Sequence, residues 1–440
     1  MPEIKLLDEN IVECYTAILE DELVLAMGCT EPIAIAYAAS ILRSQLSRDP
    51  DEIRLGLSAN IIKNVKSVIV PATGGMHGIA SAVAAGIVAA CPERKLEVLG
   101  ALSDAQRARI KEYLEILKID IYELNSAHTF DLDIECSQEG ESARVCISDR
   151  HTGVVLVERN GEDVTQTITN QPLATECDTL NVSYASDRAL LNVQDIVTFA
   201  ETVSLERLRP LLQRQIELNM AIAEEGLAHE YGAGIGRLLV EMSKDCADER
   251  IRARAFASAG SDARMNGCEM PVCIISGSGN QGITASVPVV VYARSLGVDE
   301  DTLLRALIVS DLITIHQKTG IGCLSAYCGA ISAGCGCGCG IAYLNGGRFD
   351  EIAHTLVNSV AILSGTICDG AKASCAAKIA MAVEAGIMGY EMARSGRQFF
   401  GGDGIVTKGV ENTIRNVGRL ARDGMSGTDR EIVRIMLGLD

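Results

Sequence analysis

Two hydrophobic periods divide this chain. Residues 119–165 alternate apolar and polar positions through IYELNS, FDLDIEC, ARVCISD and GVVLVERNG, with turns at QEGE and NGED. A period of two gives each strand one apolar face, so this stretch predicts an antiparallel meander. From Val193 onward the period becomes that of amphipathic helices, as in LERLRPLLQRQIELNMAIAEEGLAHEY and TLLRALIVSDLITIHQK. A chain that switches once in this way folds as α+β: an N-terminal mixed α/β domain with a meander, then a C-terminal all-α domain. The polar stretch 166–190 reads as a linker, and the expected domains are residues 1–185 and 186–440. A length of 440 residues agrees with two cores, because single cores rarely grow past ~250–300 residues.

Upstream of the meander, residues 4–27 read as one helix. Thr30 reads as the N-cap of a second, with Pro32 in its first turn, so that helix starts just after Cys29. Residues 52–60, 65–70 and 96–102 read as strands, and IASAVAAGIVAA and ALSDAQRARIKEYLEIL as helices.

Charge and cysteine usage narrow the setting. Lys and Arg number 39 against 58 Asp and Glu, a net charge of 39 − 58 = −19, with no basic cluster to neutralise a phosphate backbone. Nucleic acid is therefore excluded as a partner. Residues 67–92 and 319–347 are uncharged and long enough to span a bilayer, but Pro71, His77 and many glycines interrupt them. They read as buried segments of a soluble protein, with no membrane partner. Sixteen cysteines in 440 residues fall well below the ~8–10% of a disulfide scaffold. The start MPEIKLLDEN lacks a basic, apolar leader, so the expected compartment is the reducing cytosol.

Seven of the cysteines lie between 323 and 375. Cys368 and Cys375 are seven residues apart, about 10.5 Å along a helix, which is too far for one zinc ion but within reach of separate metals if the first turn is loose. No tight CxxC knuckle is present. A metal site and buried packing both remain open for this pair. Cys335, Cys337 and Cys339 alternate with glycine, and read as small apolar packing residues. Cys29 precedes a helix start, where backbone N–H groups favour a thiolate; a reactive and a merely buried thiol are both open. The glycine-rich segments 72–78 and 276–282 each precede an apolar run and can offer backbone donors to an anion. The second resembles the carboxylate loop of pyridoxal-phosphate lyases, but no Schiff-base lysine or phosphate loop accompanies it. Polar residues in apolar surroundings include Asn60, Lys63, Asn64, Asp262, Arg264, Lys318 and Lys372. His77 and His316 are candidate bases that read more simply as hydrogen-bonded core histidines.

Taken in order, GCTEP (28–32), SANIIKN (58–64), PATGG (71–75), SDARMNG (261–267), GSGNQG (277–282), LSAYCG (324–329), CDGAKASC (368–375) and GMSGTD (424–429) resemble the L-cysteine desulfidase family. That family is related to the alpha chain of iron–sulfur L-serine dehydratases. The resemblance implies a 4Fe-4S cluster held by Cys328, Cys368 and Cys375, with Cys29 as the active-site base. It also implies substrate contacts from Asn60, Lys63, Thr73, Gly74, Gly75, Ser278, Asn280 and Gln281. Three thiolates leave one iron without a protein ligand, unlike the four-Cys clusters of electron transfer. Such an iron is a Lewis acid that tolerates soft sulfur. The implied reaction is β-elimination of L-cysteine, a small-molecule amino acid, to sulfide, pyruvate and ammonia. The site is expected where the two domains meet, in a homodimer by analogy. A serine dehydratase with the same cluster is the nearest alternative, although its His-bearing motif is absent where this chain has GCTEP. A non-catalytic cysteine-rich metal protein explains the cysteines but not GCTEP, PATGG or GSGNQG.

Overall fold

The computed structural model describes residues 6–28, 30–66, 68–100, 102–124, 126, 130–169, 187–243, 248–322 and 325–437, so Cys29 and Cys323 lie outside it. The first part of the chain forms α1 (Glu9–Glu22), β1 (Leu25–Met27), α2 (Thr30–Ser44), β2 (Glu52–Leu57), α3 (Ala59–Val65), α4 (Gly78–Ala89), α5 (Asp104–Ile116), β3 (Lys118–Glu123), β4 (Asp131–Gln138), β5 (Glu141–Ser148), β6 (Val154–Arg159), β7 (Glu162–Asp163) and α6 (Thr165–Thr169). The second forms α7 (Val193–Thr202), α8 (Arg209–Ala228), α9 (Ile235–Met242), α10 (Glu249–Met265), β8 (Pro271–Cys273), α11 (Gly279–Leu296), α12 (Glu300–Ile321), α13 (Gly329–Leu344), α14 (Phe349–Leu363), α15 (Cys375–Arg394), α16 (Val410–Arg419) and α17 (Ser426–Leu437). The α+β class is as expected.

The sheet has the order β3-β2-β4-β5-β6-β7. Alternation decides its faces: Leu132, Ile134, Ala143, Val145 and Ile147 are buried beneath α2. The other face carries ion pairs such as Arg144–Asp133 at 2.8 Å. The meander holds from β4 to β7, but β3 runs parallel to β2 and does not touch β4. The reason is α5, which carries the chain across the sheet before β3 and so returns it in the same direction.

Three other expectations are corrected. The first helix stops at Glu22, because Val24–Met27 pairs antiparallel with β8, with Ala26 opposite Val272. Of residues 65–70, Val65 ends α3 and Ile69 makes one isolated bridge, to His77, so the described ones form no strand. Of residues 96–102, the first two end a 3-10 turn at Pro92–Glu97, and Val98, Leu99 and Leu102 are buried without joining the sheet, whose place beside β2 is taken by β3. Within 166–190, residues 170–186 lie outside the described ones.

Two hydrophobic cores result. One gathers residues between Ile33 and Val157 under the sheet; the other fills the helical body and includes α1, whose Tyr15 meets Phe199 edge-on at 5.5 Å. At the centre of the helical body, α13 uses its alternating glycines on two sides. A Cβ on Gly334 or Gly338 would fall 2.3 or 2.5 Å from the Ala382 or Gly386 carbonyl of α15. One on Gly336 or Gly340 would fall 2.5 or 2.9 Å from the Ser310 or Ala306 carbonyl of α12. Cys335, Cys337 and Cys339 are buried between these ridges, so the run packs helices at backbone contact. Among the described residues, no helix is long and apolar enough to cross a membrane.

Candidate active site

The N-termini of α2, α11, α13 and α15 converge on one cavity of about 100 Å³, through Thr30, Ser278, Asn280, Gln281, Cys328–Ala330 and Cys375. In the same measure a water needs about 10–15 Å³, so the space suits a small molecule. Helix N-termini present free N–H groups and a partial positive charge. Lys63, Arg264, Lys318 and Lys378 line the same wall, where Glu31 is the one carboxylate among the described lining residues; Lys63 and Lys378 are paired outside it, with Asp429 and Asp369. The site is built for an anion.

Its cysteines are placed by a short ladder. Cys328 N donates to the Thr366 carbonyl at 3.0 Å and Cys368 N to the Ala326 carbonyl at 2.7 Å, around a bridge between Tyr327 and Ile367. This sets the two thiols within hydrogen-bonding reach of one another. The S–H of Cys328, together with Lys63, the Gly370 N–H and Lys378, holds Cys368 well below the ordinary thiol range. The same pairing, with burial, pushes Cys328 up, and burial pushes Cys375 up. Cys375 opens α15, and its thiol donates to the Gly370 carbonyl at 3.7 Å. Residues 369–374 are thus a loop, not the helix that the seven-residue spacing allowed. Gly370 must be glycine twice over: its φ is +98°, and a Cβ would lie 2.5 Å from the Lys63 carbonyl.

Among the described residues, no three His, Cys, Asp or Glu side chains converge on a single metal-ion position. A zinc-type site is therefore not formed by Cys328, Cys368 and Cys375. They do share one cavity wall, with one thiol favoured as thiolate and cations nearby. That donor set fits a multi-iron cluster, in which each thiolate serves a different iron.

The remaining wall is tied across the chain. Lys63, with its side chain 1% exposed, donates to Asp429 Oδ1 at 2.6 Å, and Asp429 Oδ2 accepts from Ala326 N at 2.9 Å. The GMSGTD segment thus braces both α3 and the Cys328 loop. Asn64 donates to Glu31 Oε1 at 2.8 Å, and Thr30 donates to the Gly277 carbonyl at 3.0 Å. Arg264 Nη1 donates to Asn280 Oδ1 at 3.2 Å, close to Gly279, where a Cβ would meet its Nε at 2.3 Å.

Of the residues expected to hold substrate, Lys63, Ser278, Asn280 and Gln281 line the cavity. Asn60 does not; its Oδ1 is enclosed without a hydrogen-bond partner among the described residues. Thr73, Gly74 and Gly75 form a closed turn away from the cavity: Thr73 donates to the Val70 carbonyl at 2.7 Å and accepts from Met76 N. The neighbouring Pro71 packs on Gly28, where a Cβ would fall 2.1 Å from its Cγ, so PATGG buttresses the turn that leads into Cys29. His316 pairs with Glu411 at 2.7 Å, and His77 is exposed. His151 and Lys378 line the cavity without having been singled out. Lys378, alone in the apolar run AAKIAM, carried a signal; His151, in a polar hairpin turn, carried none.

A sequence model described as the serine dehydratase alpha chain matches residues 93–434. The chain belongs to the serine dehydratase alpha-chain family. Similar relatives include a UPF0597 protein of Desulfitobacterium hafniense, 52% identical over 98% of this chain and 97% of that one. Another, from Treponema denticola, is 42% identical over 98% and 99%. One from Lachnoclostridium phytofermentans is 44% identical over 96% and 98%. Membership supports a lyase of the dehydratase type and, through the iron–sulfur serine dehydratases, an iron–sulfur cofactor.

Proposed function

We propose that the protein is a 4Fe-4S-dependent lyase that β-eliminates L-cysteine to sulfide, pyruvate and ammonia. One observation carries this reading: Cys328, Cys368 and Cys375 share a small cavity ringed by helix N-termini and four cationic side chains. These three residues would hold the cluster, and when bound it supplies an iron without a protein ligand as Lewis acid for the leaving sulfur.

The protein's own groups do the rest. The N–H groups at the start of α11, with Asn280 and Gln281, receive the substrate carboxylate. Glu31 faces the substrate ammonium. Cys29, next to the cavity-lining Thr30, removes the Cα proton. Lys63, held by Asp429, offsets the negative charge that builds up as Cα–H breaks. Released aminoacrylate hydrolyses in water to pyruvate and ammonia. The reading includes a homodimer in the cytosol.

The test is anaerobic reconstitution with iron and sulfide, followed by paired assays of sulfide from L-cysteine and pyruvate from L-serine. Faster turnover of cysteine is expected. The family match favours a second reading, serine dehydration at the same site, and faster turnover of serine would establish it.

A further inference from the structure

One thin wall separates the inner cavity from a second of about 650 Å³; His151, Ser276, Gly277 and Lys318 line both. His151 is the only histidine among the described residues that line either. It is carried on the turn between β5 and β6, where the sheet domain reaches the helical body. That turn is fixed: Asp149 N donates to the Phe130 carbonyl at 3.0 Å, Gly153 N to the Arg150 carbonyl at 2.9 Å, and Arg150 lies 3.6 Å from Asp21 of α1. The imidazole packs on Phe130, centroids 4.7 Å apart, and on Gly277, where a Cβ would stand 3.1 Å from its Cε1. Yet Nε2 is enclosed with no hydrogen-bond partner among the described residues. Leaving a buried polar atom unpaired is costly, so a fold that fixes the ring this firmly keeps the atom for something that enters the site. Glu31 of α2 and Arg264 of α10 act on the ring electrostatically, and Lys318 of α12 shares its wall. Burial, reinforced by Arg264 and opposed by Glu31, lowers its pKa, so the ring is neutral near pH 7 and ready to accept a proton.

We propose that His151 is the proton exit of this site: Nε2 takes over the proton removed from the substrate Cα and passes it to water in the outer cavity. The inference rests on the β-elimination reading above. As the base breaks Cα–H, that electron pair forms the Cα=Cβ bond and the Cβ–S bond breaks, its pair leaving with sulfur. The proton moves from the base to Nε2 and then to water, so base and imidazole both return to their starting states. Loss of hydroxide from serine needs the same exit, so the role does not depend on the substrate. His151 acts through the base and is a positioning residue for the proton.

The experiment compares full-length reconstituted wild type, His151→Ala and His151→Gln. Iron content and visible absorbance are expected to stay unchanged, while kcat falls about 100-fold with little change in KM. The acid limb of the kcat–pH profile, due to protonation of the ring, should disappear. Imidazole added to His151→Ala, entering through the outer cavity, should restore kcat at least about tenfold, since positioned proton transfer contributes 10²–10⁴-fold. In cluster-free protein, ring-nitrogen NMR should show His151 titrating below the ordinary histidine range. If His151→Ala does not fold, His151→Gln carries the pH profile. An active wild type with variants within threefold of it, or with losses that imidazole does not rescue and an unchanged pH profile, overturns this inference alone. A wild type with full iron that eliminates neither cysteine nor serine overturns the lyase reading and this inference with it.

Discussion

Removing the Asp429 carboxylate strands a buried cation. The Lys63 side chain is 1% exposed and Asp429 18%, and their 2.6 Å contact crosses from α3 to α17. Two unit charges 4 Å apart attract by about 4 kcal/mol at an effective dielectric of 20. Breaking a buried pair by deleting one partner costs about 3–5 kcal/mol. Partial exposure of Asp429 lowers this, so Asp429→Ala is expected to cost about 2–4 kcal/mol, including the unpaired Ala326 N–H. Lys63→Met in that background removes the stranded charge and should recover at least half of the loss. Urea unfolding of cluster-free protein, followed by far-UV circular dichroism, measures all four members of the cycle. The expected coupling is above about 1.5 kcal/mol, well beyond what independent sites show. Lyase activity should stay lost in the double variant even though stability returns, because the cation assigned to the developing charge is gone. Single losses that simply add, or an Asp429→Ala cost under about 0.5 kcal/mol, would refute the bracing role assigned to Asp429.

Four shorter predictions follow from other parts of the molecule. Cys368→Ala should abolish iron retention, whereas Cys335→Ala, Cys337→Ala and Cys339→Ala should each keep it, as read by iron and sulfide analysis. Gly338→Ala places a methyl 2.5 Å from the Gly386 carbonyl and should cost about 1–3 kcal/mol of stability in urea unfolding. Cys29→Ala should retain the cluster absorbance and lose turnover; loss of the cluster would make Cys29 a ligand. Asp262, pushed up to about 6 by burial, binds its proton longer in the folded chain than in the unfolded one. Its contribution therefore falls as pH rises from about 4 through 6, by about 2–3 kcal/mol, and Asp262→Asn should flatten that part of the urea-midpoint profile.

What could be read from the sequence depended on whether a signal was local. The alternation in FDLDIEC and ARVCISD reports one buried face directly, and the strands are where it places them. The VLAM segment looked helical because its strand character comes from β8, almost 250 residues away. LEVLGAL is apolar enough for a strand, but the sheet position it would need is occupied. The same division holds in the site. Lys63, Ser278, Asn280 and Gln281 stand out as polar residues at helix starts or in apolar runs, and they reach the cavity. PATGG looked like an anion loop because a closed hydroxyl turn and an open anion cradle use the same residues; only the position of Pro71 against Gly28 separates them. His151 was invisible because nothing in a polar hairpin turn tells which tip will press into another domain.

The bracing of Lys63 by Asp429 also bears on the order in which this molecule is put together. The two residues are 366 positions apart, and Thr30 and Gly277 are 247 apart, whereas Cys328 and Cys368 are joined across only 40. Contacts over short stretches close sooner than those over long ones, because chain entropy must be overcome before a distant contact rewards it. The cysteine ladder can therefore form within the helical body while α2, α3 and α17 are still undocked. During that interval the thiols face solvent on an open side. Docking of the distant segments then completes the cavity wall, so the contacts of Lys63 and Thr30 are the last parts of the site to be assembled.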